Sequence, residues 1–180
     1  MTSNKKQDES LMTLFDKART TTLSVVRDVS EEQARWLPDG EVNHILWHAG
    51  HIFVLLERCV FAATVGSDEM PPSIPEGWWP LFGWNSKPWE FAADAWPSIA
   101  SVRQSLEAQT ERLQRELSSF DDAFLSSPIR WSDPRWNGRP TRIVIVHGFY
   151  DELLHSGQMM QLKRMFDAYS AAIRRHILSD

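Results

Sequence analysis

Residues 147–158 read His-Gly-Phe-Tyr-Asp-Glu-Leu-Leu-His-Ser-Gly-Gln, and the fold turns on this stretch. Around it Ile143, Val146, Tyr150, Leu153 and Leu154 recur at steps of three and four, the period of a helix. His147, Asp151 and His155 then form a stripe on one helix face. A second stretch, residues 43–52, reads Asn-His-Ile-Leu-Trp-His-Ala-Gly-His-Ile. It places His44, His48 and His51 at helical spacing too. Two such helices facing one another can share one metal ion, because facing helices of a bundle supply ligands to a common core site.

Geometry prunes the combinations. His147 and His155 lie two turns apart, about 12 Å at 1.5 Å per residue, and cannot both reach one ion. Asp151 with His155, or His147 with Asp151, remain. His44 and His51 are separated by nearly as much. Glu152 points about 100° away from Asp151 and stays outside the ligand set. Three protein ligands plus a water are the pattern of an open, catalytic zinc site.

Outward from these stretches the chain divides into helices. Residues 1–8 read as a flexible tail before one domain over 9–180. Leu11, Leu14, Phe15, Ala18, Val25 and Val26 predict a helix over 8–28. Ser30 with Gln33 reads as a capping box opening a short turn. Asn43 is the expected cap of a helix ending at Val65, with Gly66 closing it. Pro97 is expected to open a helix to Ser119, and Thr141 to cap one running to Tyr169. Gly157 inside that helix suggests a close approach to the backbone. A separate short helix is expected over 171–177. Between the long helices, 67–94 is irregular and rich in proline and tryptophan, and 131–139 could form a small hairpin around Asn137-Gly138. The fold class is all-α, a four-helix bundle with a long Trp-rich connection between its second and third long helices.

Composition limits the function classes. The chain carries nine Trp, nine Phe and a net charge of −5, without the basic face of a nucleic-acid binder. No apolar run follows the polar start, so no signal peptide is expected. The apolar stretch 52–65, broken by Glu57 and Arg58, reads as too short and too charged to span a membrane. The single Cys59 excludes an internal disulfide, fits a cytoplasmic location, and reads as a small buried hydrophobe.

Residues 47–52, Trp-His-Ala-Gly-His-Ile, and 151–158, Asp-Glu-Leu-Leu-His-Ser-Gly-Gln, resemble the two signatures of the DinB/YfiT-like metalloenzyme superfamily. The resemblance covers most of the chain and implies an up-down-down-up bundle with a three-ligand metal site. Carried over residue by residue, it makes His51, Asp151 and His155 the ligands. Asp151 stands where the superfamily usually has histidine. Two histidines and a carboxylate suit a divalent Zn, Ni, Mn or Fe ion. His48 becomes the second-shell or proton-transfer residue, with His147 and Gln158 set to orient ligands. Trp47, Trp78, Trp79 and Trp84 are the expected pocket wall. His44 is expected beside the cap and in water.

The resemblance implies an enzyme acting on a small molecule, a thiol-dependent S-transferase with a low-molecular-weight thiol as cosubstrate, or a hydrolase. It also implies a homodimer. The alternative is a non-catalytic dimeric bundle with a structural or lost metal, acting through partner binding.

Overall fold

The computed structural model describes residues 8–65, 69–129, 131 and 133–177. Seven α-helices follow in order: α1 (Glu9–Val26), α2 (Glu31–Arg35), α3 (Ile45–Val65), α4 (Trp78–Phe82), α5 (Ile99–Ser119), α6 (Asp122–Ser126) and α7 (Thr141–Ile177). No strand forms among the described residues. The expected hairpin is instead one isolated antiparallel bridge between Pro128 and Pro140, with the Ile129 N–H donating to the Arg139 carbonyl at 2.8 Å inside it.

The helix starts are set by side chains that accept the first free backbone N–H groups. Asp8, expected in the tail, takes those of Ser10 and Leu11 and starts α1. Ser30 takes that of Gln33, as the capping box requires. The Gln33 side chain does not reach back, however; its amide donates to Asp167 at 3.1 Å and ties α2 to α7. At α3 the cap is His44, not Asn43: its Nδ1 accepts from the Trp47 backbone at 2.9 Å. Ser98 caps α5, so Pro97 lies just outside the helix rather than in its first turn. Thr141 is likewise the first residue of α7 rather than its cap, and its hydroxyl donates to the Ser127 carbonyl. No proline or glycine interrupts 158–177, and the two helices expected there are one helix of 37 residues. Gly66 and residues 1–7 lie outside the described residues.

Four long helices make the bundle, and named contacts give their directions. Phe15 meets Phe149 and Thr22 meets Ser156, so α1 and α7 run parallel. Asp16 meets Gln114 while Arg27 meets Arg103, so α5 runs against α1. Phe53 and Glu57 meet Gln109, Glu57 also meets Arg112, and His48 meets His155. Thus α3 runs with α5 and against α7. The order is up-down-down-up.

Helix α3 lies at the centre. By length and composition it is apolar enough to cross a membrane, but 94% of its most apolar 18-residue window is buried inside the bundle. The expectation of too short a run measured only part of it. Its apolar surface is taken up by its neighbours on all sides, as for a core helix of a globular protein.

The apolar core has two parts. One gathers Val26, Ile45, Ile52, Phe82, Trp96, Leu106 and Met159; the other Phe15, Leu56, Cys59, Leu113, Val144 and Phe149. A polar layer crosses the bundle between them. Arg19 and Glu152, each 1% exposed, pair at 2.9 Å. Thr22 donates to Glu152, and Arg19 donates to Gln109 and to the Leu106 carbonyl. Gln109 continues the layer to Glu57 and the Phe53 carbonyl. Every member has a partner, which is the condition for burying charge at all.

Candidate metal centre

On α7 the stretch between Phe149 and Met159 adds no fully buried apolar side chain to either part. It carries Glu152 and Ser156 toward α1, and Asp151 and His155 toward α3. The antiparallel α3 brings His51 to the same height. His51 Nε2 lies 3.8 Å from Asp151 Oδ2, and His155 Nε2 lies 3.6 Å from the same oxygen. One donor atom from each of the three falls within 4.8 Å of the others.

A glycine positions the first ligand. A Cβ on Gly50 would stand 2.3 Å from the Phe82 ring, so only glycine lets α4 press this close to α3. The approach sets the Phe82 carbonyl to accept from His51 Nδ1 at 2.6 Å. With the proton held on Nδ1, the lone pair of Nε2 is turned toward Asp151, the arrangement by which backbone carbonyls orient metal-binding imidazoles. Trp78 supports Phe82 from behind, ring edge to ring face at 5.4 Å.

The second histidine is oriented by a third. His155 Nδ1 and His48 Nδ1 are 2.9 Å apart and share one hydrogen bond. With His155 as the donor of that bond, its Nε2 would offer a lone pair toward Asp151 as well. Trp47 roofs the group, stacked on His51 at 4.6 Å and 11° and edge-on to His155. Its indole N–H donates to Ser86 at 2.8 Å.

The electrostatics suit a cation. Burial alone would raise the Asp151 carboxyl, but the His155 and His51 imidazoles beside it outweigh burial and hold it well below the usual carboxylate range. His48 is lowered to about 3, first by burial and then by its histidine neighbours, and is neutral at physiological pH. A tetrahedral ion with bonds of about 2.1 Å needs donors about 3.4 Å apart. Both Asp151 distances are within a few tenths of an ångström of that. The donor set and its spacing therefore fit a divalent ion.

The remaining expected residues are placed as follows. His147 is turned away from Asp151, its ring lying on Trp136 at 4.6 Å. Gln158 is exposed and shares the mouth of a small cleft with His48. Trp78 is a core residue against Phe53 and Phe82. Trp79 packs on Trp84, and Trp84 on Trp131. Only Trp47 of the four touches the site histidines. Nothing lies within 4 Å of a Cβ built on Gly157, so the expected close approach is absent there. It occurs at Gly50 and at Gly148, where Leu56 comes to 2.9 Å. Burial pushes the Cys59 thiol up to about 12, consistent with a buried hydrophobe. Sequence reasoning missed the Phe82 carbonyl and the Arg19–Glu152 pair. A glycine between two histidines of a core helix was the available signal for the first.

The sequence model of the DinB superfamily matches residues 14–159. A crystal structure of a conserved protein from Enterococcus faecalis superposes with a TM-score of 0.68 at 18% identity, covering 88% of this chain and 96% of that one. At that identity the likeness concerns the fold. No curated protein matches the chain significantly. The chain belongs to the DinB superfamily.

Proposed function

We propose that this DinB-superfamily chain is a metal-dependent enzyme that transfers a small thiol to an electrophile, with hydrolysis of a small molecule as the second reading. The supporting observation is the convergence of His51, Asp151 and His155, with both imidazole Nε2 atoms within 4 Å of Asp151 Oδ2. Three donors leave a coordination position open, whereas a structural site uses four. No fourth acidic, histidine or cysteine donor joins this group among the described residues.

Bound there, a divalent ion would supply Lewis acidity and lower the pKa of a thiol or water beside it. One carboxylate against a doubly charged ion leaves the site net positive, which favours an anionic nucleophile such as a thiolate. The Phe82 carbonyl and His48 hold the two rings in place. Trp47 excludes water from one side of them. A homodimer in the cytoplasm, acting on a small molecule and on neither nucleic acid nor membrane, completes the reading.

The test has two stages. Purified protein is loaded with Zn, Ni, Mn or Fe and assayed for bound metal, with His51→Ala and Asp151→Ala alongside. Loaded protein is then given an electrophile with a panel of small thiols. Stoichiometric metal in wild type alone, with thiol-dependent turnover, supports the proposal. Wild type that stays metal-free overturns it. Metal without turnover would instead favour the non-catalytic bundle.

A further inference from the structure

Away from the metal centre, the segments flanking the start of α3 enclose a cleft of about 400 Å³, a size suited to a small molecule. Its far wall is Pro88, Trp89, Phe91 and Trp96. Trp89 stands at its rim, 65% exposed, while the other eight tryptophans are buried or half-buried. An indole left open beside an apolar cleft is a stacking surface without an occupant.

The polar groups of the cleft narrow what fits. Arg35 lines it, but its guanidinium donates to the carbonyls of Ala93, Trp96 and Pro97 at 2.9–3.3 Å. Those bonds fasten the wall to α2 and leave Arg35 little to offer an anion. Glu41 also lines the cleft and repels one. His44 is the remaining polar group. Its Nδ1 is occupied as the helix cap, so the neutral ring carries its proton on Nε2. No described residue accepts from that nitrogen, and it is not sealed from solvent. The cleft therefore combines apolar walls, one stacking surface, the Glu41 carboxylate and one uncommitted N–H donor.

We infer that this cleft is a second, metal-independent binding site for an uncharged flat aromatic molecule, stacked on Trp89 and accepting a hydrogen bond from His44 Nε2. The inference does not rest on the proposed metal chemistry.

Quinoline and indole are the probes: both have two fused rings, but quinoline carries a ring-nitrogen acceptor and indole only a donor. Full-length protein in a chelator is titrated with each, and the nitrogen-labelled tryptophan side-chain resonances are followed. Quinoline is expected to shift the Trp89 and Trp96 signals saturably, with indole about fivefold weaker or more, the worth of one hydrogen bond. Trp89→Ala removes an exposed side chain and should weaken quinoline about tenfold. His44→Asp keeps a capping oxygen while removing the donor, and should bring quinoline to the level of indole. Absence of saturable shifts, equal binding of the two probes, or quinoline binding unchanged in Trp89→Ala would overturn the inference. If His44→Asp fails to fold, the probe pair and Trp89→Ala still decide it. The same titration on His51→Ala should match wild type, so failure here and failure of the metal centre are read separately.

Discussion

Gly50 and Phe82 contend for one volume: a methyl group on the first would lie 2.3 Å from the ring of the second. The same ring's residue holds His51 through its carbonyl. Gly50→Ala must displace α4, so two losses should appear together. Stability should fall by about 1–3 kcal/mol, as for an overpacked core. Metal affinity should fall about 10–100-fold, as for a lost ligand-orienting bond. Urea unfolding of metal-free protein and competition with a chelator measure the two separately.

Gly157 is the converse case. It is helical, exposed and has open space where a Cβ would go. Gly157→Ala should stabilise the protein by about 0.5–1 kcal/mol through helix propensity and a restricted unfolded chain. Thermal melts would show a raised midpoint with metal binding unchanged.

The Arg19–Glu152 pair is expected to behave asymmetrically. Arg19→Met leaves a buried carboxylate without its cation, and should cost about 3–5 kcal/mol. Arg19→Met combined with Glu152→Met removes both charges and should recover much of that loss. A double-mutant cycle by chemical denaturation reads the coupling. Equal and additive losses would show that the pair does not act as a unit.

Histidine 44 gives a pH dependence of definite sign. Burial first, then the charge of Arg35, lowers it from 6.5 to about 4. A folded value below the unfolded one means that the unfolded chain takes up the proton more readily. Its contribution is therefore complete above pH 6.5 and is lost as the pH falls toward 4. The stability difference between wild type and His44→Asn, which keeps a capping oxygen, should shrink over that window. A difference that grew on acidification would contradict the assignment.

Cys59 should resist alkylation in the native protein at pH 8. Its thiol is 1% exposed and pushed up to about 12, and the thiolate is the reactive form. Labelling should track global unfolding.

The helices were legible because burial imposes a period. The steps from Leu11 to Val26 and from Val102 to Leu117 mark faces that are buried in the fold. The three candidate ligands were legible only once the resemblance joined two distant stretches, since spacing alone left His147 in play. What could not be read lies in contacts between elements. Nothing local in His44 says that its ring, rather than Asn43, closes α3. The Phe82 carbonyl is a backbone group, and a sequence carries no mark of where a carbonyl points. Glu152 was legible only as a neighbour turned about 100° from Asp151, because its partner Arg19 lies 133 positions away. The join at 170 was misjudged because a change in side-chain pattern is not a break in the backbone.

Helix α3 is buried around its whole circumference, and α7, which covers one of its sides, is made about a hundred residues later. During synthesis at roughly 5–20 residues per second, α3 must wait many seconds for that cover. In the interval its exposed surface is the part of the chain most prone to self-association or capture by a chaperone. His51 waits equally long for Asp151 and His155. A chain able to bind metal would therefore be one whose last long helix has already docked.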